Sequence, residues 1–460
     1  MNWDGRGGLS SLRPRLAWVG TLALAQSLLG CTPPAAQTTD PNVPIQADGP
    51  AMTSADPGAP TPAPGPRSGS LDAATAQQEA ARILEQVAAA RELDVTQPVD
   101  VTVASKAEIR EYAKSNMYEY TTPEELALQG RISASLGVIA KGASLEQVLL
   151  DALEDGVLGF YDPKKKTLFI GDYVSTGLLS QVVGHEIAHG LQDMHFGLEE
   201  RTAPTRHRSD ADEAERYLIE GGAQAAYLAW VSGADGLAMI DDAVLEAMVN
   251  QTLELVGIMD PAAVLTRSLH LPYSAGTATV VRTVVEDGWS TIDALYDDPP
   301  TTTEQMLHVD KLKKREPAVP VAFEHDAVAT ALGKDVVWHD QVGEAQLLAI
   351  LADVEPASVA RRCAAGWGGD AMLALERDGA PMSVVIAMAM DSRGEAEELE
   401  PALRKYVDER IGTDAMLVRK RDTLLLVTGL AEDADRDAVG KALWSAVSVG
   451  KAALKKKDAG

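Results

Sequence analysis

Apolar side chains recur every three or four positions over much of the chain, which is the spacing of an amphipathic helix. The segment 71–93 shows this pattern, and a second helix is predicted to begin at Thr122 and Pro123, which supply its cap and first turn. Another helix is predicted from Ser144, and a long, mostly helical stretch covers about 210–259. Acidic residues interrupt that stretch, so it is not predicted to cross a membrane.

Strand patterns are fewer. Residues 99–105 alternate between apolar and polar side chains, as a half-buried strand does, and two apolar runs within 156–171 predict a hairpin. Beyond residue 361 the predicted elements follow the order ββαββα. The sequence therefore predicts an α+β protein, with a mostly helical domain and small sheet over 71–360 and a small α+β domain over 361–460.

The N-terminal part of the chain lacks the pattern of a packed core. An apolar run over 16–30 has the length of a signal-peptide core and is too short to span a membrane comfortably. It ends in the residues LLGC, which resemble a bacterial lipobox, and this resemblance implies a lipid on Cys31. We therefore expect 1–31 to be a lipoprotein signal peptide ending at Cys31. Ordinary secretion with an unmodified cysteine is the alternative.

The segment that follows the candidate lipobox is rich in proline, alanine and glycine. This composition predicts that 32–70 is an extended, disordered tether. A chain with these features is expected outside the cytoplasm, anchored by lipid at the cell envelope. Thr32 stands directly after the cysteine, where a retention signal has aspartate, which points to the outer membrane.

Charge and cysteine content exclude several classes of partner. Acidic residues outnumber basic residues by 68 to 41, giving a net charge of −27. Such a chain repels phosphates, so a nucleic-acid partner and a polybasic membrane contact are not expected. Cys31 and Cys363 are its two cysteines, so lipidation of Cys31 leaves no intramolecular disulfide. Cys363 is expected to be a buried structural thiol, and the oligomeric state stays open.

The segment GHEIAHG, residues 184–190, carries the candidate chemistry. Histidines four residues apart project from one face of a helix, so His185 and His189 can reach a single metal ion. Glu186 points about 100° away around the axis and can contact a metal-bound water without ligating. Zinc lowers the pKa of that water toward about 7, and a carboxylate can accept its proton. The alternative is two histidines packed in a core.

The third ligand has two candidates. His195 would need a break in the helix at position 192, but Gln192 lets the helix continue and carry His195 roughly 9 Å beyond His189. Glu220 precedes two glycines, which would let its helix pack closely against the metal helix. We therefore expect Glu220 to complete a zinc site with His185 and His189.

This arrangement, with Glu220 31 residues after the second histidine, resembles that of gluzincin zinc metallopeptidases. Several blocks between about residues 120 and 375 also resemble an uncharacterised group of bacterial HExxH proteins that are often lipoproteins. The resemblance implies a zincin-like metallopeptidase domain. Gly222 and Gln224 stand where related proteins carry aspartate, a departure expected to weaken zinc binding. The blocks are GFYDPKKKTLFIG, GHEIAHGLQDMHF, YLIEGGAQAAY, GWGGDAMLAL and the stretch from LPYSAG to TTTEQMLH.

The resemblance implies further site residues. A peptide substrate is expected to add as an extra strand to the edge of the strand directly before the metal helix. Tyr273 and His308 are the candidates to stabilise the oxyanion of the reaction. The alternative for both is a structural role, as a packed tyrosine and as a histidine bonded within its own loop. The strand comprises Thr167, Leu168, Phe169, Ile170 and Gly171.

Two functions of different classes follow. The first is a membrane-tethered zinc peptidase that cleaves a peptide or protein substrate by a zinc-activated water, with Glu186 as general base. The second is a non-catalytic surface lipoprotein with a structural metal site that acts in binding or envelope assembly. All the residues expected at the metal are present, which favours the enzyme. Hydrolysis of a non-peptide amide stays open.

Overall fold

The computed structural model describes residues 72–233, 235–254 and 262–450. The expected signal peptide, Cys31 and the expected tether lie outside the described residues. The described residues are about 60% helical with small sheets, which confirms the mixed α+β class. Within the described ranges, no helix is long and apolar enough to cross a membrane.

Helices make up most of the described chain. They are α1 (Ala73–Arg91), α2 (Lys106–Tyr120), α3 (Pro123–Ser135), α4 (Leu145–Gly156), α5 (Thr176–Phe196), α6 (Leu198–Arg201), α7 (Ser209–Ser232), α8 (Asp242–Glu254), α9 (Ala263–Leu271), α10 (Thr277–Asp287), α11 (Trp289–Asp297), α12 (Thr303–Leu307), α13 (Val309–Lys314), α14 (His325–Leu332), α15 (Gly343–Leu351), α16 (Ala357–Ala364), α17 (Arg393–Tyr406) and α18 (Arg436–Ala446). A 3₁₀ turn covers Leu237–Met239, and π-helical turns cover Pro272–Gly276 and Val407–Ile411.

The strands form three small sheets. They are β1 (Asp100–Ala104), β2 (Gly159–Asp162), β3 (Thr167–Gly171), β4 (Val321–Phe323), β5 (Asp335–Asp340), β6 (Trp367–Glu376), β7 (Ser383–Met390), β8 (Met416–Lys420), β9 (Thr423–Val427) and β10 (Val447–Val449). The first sheet has the order β1-β3-β2, with β1 parallel and β2 antiparallel to β3. The largest is antiparallel with the order β5-β6-β7-β9-β8, and β4 pairs with β10.

Local sequence signals explain where several elements begin. Thr122 caps α3 with a capping box and Pro123 occupies its first turn, as predicted. Helix α1 buries the apolar stripe of the predicted segment 71–93, within the described residues. The alternating segment forms β1, and the predicted hairpin forms β2 and β3. These elements follow from local pattern because caps, turns and apolar periodicity act over a few residues.

Helices α5 and α7 pack closely against each other. A Cβ atom added to Gly184 of α5 would lie 2.7 Å from Trp230 Cζ3 of α7, and one added to Gly222 of α7 would lie 2.7 Å from Gln192 Nε2 of α5. The contacts run in opposite directions along the two helices, so the pair is antiparallel. The predicted close approach of the two helices is therefore present, and glycines on both of them allow it.

The C-terminal sheet packs against the helical part of the molecule. Strands β6 to β9 follow one another along the chain with α17 and α18 in the predicted order ββαββα. Strand β5, which precedes residue 361, forms an edge of the same sheet. One sheet face, with Met372 and Ile386, joins the main hydrophobic core. The other face, with Leu373 and Val385, packs in a second cluster with Leu443 of α18. Cys363 is buried, as expected.

Buried carboxylates tie this sheet to the starts of helices. Asp340, at the end of β5, accepts hydrogen bonds from Ser209 N at 3.1 Å and Ser209 Oγ at 2.6 Å, where α7 begins. Asp370 of β6 accepts from Val342 N and Gly343 N at the start of α15. Helix N-termini carry unpaired N–H groups and a partial positive charge, so carboxylates there stabilise both partners. Strand β5 thereby fixes the position at which α7 starts.

We predict that replacing Asp340 by alanine lowers the free energy of unfolding by about 1–3 kcal/mol, because the buried Ser209 N–H and O–H would lose their acceptor. Asp335 lies exposed on the same strand, and Asp335→Ala is expected to change the free energy of unfolding by less than about 0.5 kcal/mol. Urea denaturation of both variants measures the difference. Equal losses would show that the contact between β5 and α7 contributes nothing specific.

Candidate metal centre

Three buried side chains from two helices converge on one point. His185 and His189 come from consecutive turns of α5, and Glu220 comes from α7. The Nε2 atoms of the two histidines lie 3.1 Å apart. Glu220 Oε2 lies 3.1 Å from His189 Nε2 and 3.4 Å from His185 Nε2. These three residues form a group that could hold a metal ion.

Two glutamines orient the imidazole rings. His185 Nδ1 lies 3.0 Å from Gln224 Oε1, and His189 Nδ1 lies 2.9 Å from Gln192 Oε1. Gln192 Nε2 also donates to the Ile219 carbonyl oxygen, which fixes the direction of its amide. An amide oxygen only accepts, so each Nδ1 carries the hydrogen and each Nε2 keeps its lone pair for a metal. Gln224 thus contacts His185 directly.

The glycine at position 222 has a local explanation. A side chain at Gly222 would meet the amide of Gln192, which lies 2.7 Å from the position a Cβ atom would take. Glycine leaves room for this amide, and the amide holds His189. Gly222 and Gln224 therefore belong to one arrangement, in which neutral amides contact the imidazoles of both candidate ligands.

The electrostatics of the group favour a bound cation. Burial alone would raise the pKa of Glu220, but the two imidazoles lower it below its ordinary range. Burial would lower the pKa of His189, while the Glu220 carboxylate raises it to about 9. Without a metal, the carboxylate therefore stabilises a proton on His189. A metal ion would replace this proton, because ligating imidazoles bind in their neutral form.

Glu186 lies buried beside the group. Its Oε2 atom accepts a hydrogen bond from Tyr161 N at 3.0 Å, which ties the carboxylate to β2. Burial raises the pKa of Glu186 to about 8. A carboxyl group with such a pKa can bind a proton and release it near neutral pH.

A contact between glycines brings Tyr273 to the site. A Cβ atom on Gly221 would lie 2.3 Å from the carbonyl carbon of Gly276, so the π-helical turn Pro272–Gly276 touches the backbone of α7. The Tyr273 ring centre lies 5.6 Å from that of His185. The structure therefore brings Tyr273 next to a candidate ligand. The glycine at the end of LPYSAG is the sequence signal for this contact.

A cleft opens onto the group. Two of the three candidate ligands, His189 and Glu220, line it, together with Arg216 of α7. Aromatic residues form part of its wall, and the rings of Tyr112 and Phe160 stack with centres 4.8 Å apart. Since the cleft reaches the ligands, a molecule bound in it would lie beside a metal ion held there.

The expectation that β3 accepts a substrate strand is wrong. Residues Thr167 to Ile170 pair with β1 on one side and with β2 on the other, so β3 lies in the centre of its sheet. The two edge strands are β1 and β2, and Phe160, Tyr161 and Asp162 of β2 line the cleft. The hairpin was correctly predicted. The parallel partner β1 lies more than 60 residues earlier in the chain, and strand order in a sheet does not follow from local pattern.

Two other histidines have different partners. His195 Nε2 lies 2.8 Å from the Asp94 carbonyl oxygen, and α5 continues to Phe196 as predicted. His308 Nε2 lies 2.8 Å from Glu344 Oε1, and this pair involves none of the three candidate ligands. His308 therefore bonds a buried carboxylate of α15, and its role in stabilising an oxyanion stays a prediction.

Comparison with known proteins adds one match. A family model described as a domain of unknown function (DUF8575) matches residues 332–440. The matched stretch contains β5 to β9 and none of the three candidate ligands. No curated protein and no solved structure matches the chain.

We predict that Gly221→Ala weakens both folding and metal binding, because the new methyl group would collide with the Gly276 backbone and push α7 away. Overpacking of this kind costs about 1–3 kcal/mol. Gly177, in the first turn of α5, has no atom within 4 Å of an added Cβ. Gly177→Ala is therefore the control and is expected to stabilise by up to about 1 kcal/mol. Chemical denaturation and competition with a metal chelator measure both effects. A tolerated Gly221→Ala would contradict the close contact.

Proposed function

We propose that this protein is a zinc-dependent peptidase in which His185, His189 and Glu220 hold the metal and Glu186 acts as general base. The observation that carries the proposal is the convergence of three buried donor atoms within 3.1–3.4 Å of one another beside Glu186 and a cleft. Two imidazoles with one carboxylate are a known ligand set of catalytic zinc.

The donor atoms fit zinc in spacing as well as in type. Tetrahedral zinc with bond lengths of about 2.0–2.1 Å places its ligand atoms roughly 3.3 Å apart, close to the distances in this site. Structural zinc sites are closed by four protein ligands, whereas catalytic sites keep a position for water or substrate. The cleft at His189 and Glu220 supports the catalytic type.

Each residue around the proposed zinc site has a distinct role in the reaction. When bound, zinc supplies a Lewis acid and lowers the pKa of water to about 7. Glu186, held in orientation by Tyr161 N–H, accepts a proton from the attacking water and returns it to the leaving amine. Tyr273, beside His185, is the candidate to stabilise the negative charge that develops on the carbonyl oxygen. The substrate would lie along β2, at the edge of the sheet.

The proposal includes the location of the enzyme. The resemblance of 28–31 to a lipobox supports a lipid on Cys31, and the composition of 32–70 supports a tether. Together they would hold the peptidase at the cell envelope, outside the cytoplasm. Substrates would then be peptides or proteins of that compartment.

We predict that Glu186→Gln retains zinc but lowers peptide cleavage by about 100- to 10,000-fold, because an amide cannot accept the proton. Glu199 lines the same cleft and is exposed, so Glu199→Gln is the matched control with activity close to that of the unmodified protein. Metal content and cleavage of a broad peptide library measure the two properties separately. If the unmodified protein and Glu186→Gln bind zinc and neither cleaves any peptide, the non-catalytic lipoprotein becomes the better assignment.

We predict that His189→Ala weakens zinc binding by more than about 100-fold, since even residues that only support ligands contribute about 10- to 100-fold. His195→Ala on the same helix serves as control, because His195 bonds the Asp94 carbonyl oxygen instead. Zinc should raise the unfolding temperature of the unmodified protein and of His195→Ala, but not that of His189→Ala. Equal zinc effects in all three proteins would exclude this site.

A further inference from the structure

One face of α7 carries a row of functional side chains. Glu213, Arg216, Glu220 and Gln224 follow one another at intervals of three or four residues, so they share a face of the helix. Gln224 contacts His185, and Glu220 is a proposed metal ligand. Arg216 lies one turn before Glu220 and lines the same cleft. The proposed mechanism gives it no role.

The guanidinium of Arg216 is only partly satisfied. Its Nε and Nη2 atoms donate to the two carboxylate oxygens of Glu213 at 3.0 and 2.5 Å, and Nη2 also donates to the Ser268 carbonyl oxygen at 3.1 Å. The residue is 6% exposed. Its Nη1 atom is buried and has no hydrogen-bond partner among the described residues. A buried N–H group without a partner is costly, so an acceptor bound in the cleft would be stabilised there.

Charge indicates which acceptor fits. Glu213 already balances the charge of Arg216 in a bidentate pair. A second carboxylate beside this pair would bring a buried charge without a counter-charge, which is unfavourable. A neutral carbonyl oxygen carries no such penalty. The aromatic wall formed by Tyr112 and Phe160 also suits a neutral ligand.

We propose that Arg216 is a substrate-positioning residue whose Nη1 atom donates a hydrogen bond to a backbone carbonyl oxygen of a peptide in the cleft. The peptide class rests on the proposed function, whereas the contact itself rests on the geometry of Arg216. Glu213 holds the guanidinium in place, so the donor is oriented before the peptide binds. This preorganisation lowers the entropy lost on binding.

The test measures binding, so that it does not depend on cleavage. The probes are short, amide-capped peptides that end in a metal-binding hydroxamate, and a series in which each backbone carbonyl in turn is replaced by a methylene group. Calorimetry gives their affinities for the zinc-loaded protein, for Arg216→Lys and for Arg201→Lys. Lysine keeps the positive charge opposite Glu213 but has no second terminal nitrogen to donate a hydrogen bond in place of Arg216 Nη1. Arg201 lines the same cleft and pairs with Glu215, which makes Arg201→Lys the matched control.

One methylene probe is expected to bind the unmodified protein and Arg201→Lys about 10- to 100-fold more weakly than its parent. In Arg216→Lys the same carbonyl-to-methylene replacement should leave the affinity unchanged, because the Nη1 donor is already absent. Equal losses in all three proteins for every probe would overturn the proposal. So would a free-acid probe that depends on Arg216 more than its amide-capped form does, since Arg216 would then bind a carboxylate.

Two further measurements keep the result interpretable. Zinc content and the unfolding temperature show whether Arg216→Lys is folded. If Arg216→Lys is not folded, the double variant Glu213→Gln/Arg216→Met, which removes both charges of the pair, is used in its place in the same binding measurements. Failure of the proposed function appears separately, as absence of cleavage by the unmodified protein. If no probe binds better than acetohydroxamate, the cleft does not take peptides and the proposal about Arg216 is overturned.

Discussion

The structure depends on the approach of a buried carboxylate to two buried imidazoles. Glu220 Oε2 on α7 lies 3.1 Å from His189 Nε2 and 3.4 Å from His185 Nε2 on α5, and all three side chains are buried. Such a group is unfavourable unless its charges are balanced. The carboxylate and a proton or cation on the imidazoles balance each other, so the arrangement is stable only when the two helices hold their spacing closely.

Glycines set that spacing. Gly184 leaves room for the Trp230 side chain of α7, Gly222 leaves room for the Gln192 side chain of α5, and Gly221 lets the turn that carries Tyr273 touch the backbone of α7. Each contact involves atoms that a methyl group would displace. The site is thus built where three helical segments pack closely, and two glutamines between α5 and α7 contact the imidazoles.

The C-terminal sheet belongs to the same construction. Asp340 of β5 holds the first residue of α7, and Asp210 of α7 accepts hydrogen bonds from Thr303 N and Oγ1 at the start of α12. The stretch that matches a domain of unknown function therefore supports the helix that carries Glu220. Buried carboxylates at helix starts do this efficiently because the helix N-terminus supplies both hydrogen-bond donors and partial positive charge.

The local features of the fold could be predicted from the amino-acid sequence. Helix periodicity, the capping residues at Thr122 and the spacing of His185 and His189 each act over a few residues, so they predicted α1, α3 and two candidate ligands sharing a helix face. The continuation of α5 past Gln192 was also predictable locally, and it leaves Glu220 rather than His195 grouped with the two histidines. The family resemblance and the position of β3 directly before the metal helix placed the substrate strand on β3, and this expectation failed because a distant strand, β1, pairs with β3. Packing between distant segments also pairs His308 with Glu344 and places Arg216 in the cleft with one donor unpaired within the described residues. These outcomes depend on which segments far apart in the chain bury one another, and no local pattern encodes that choice.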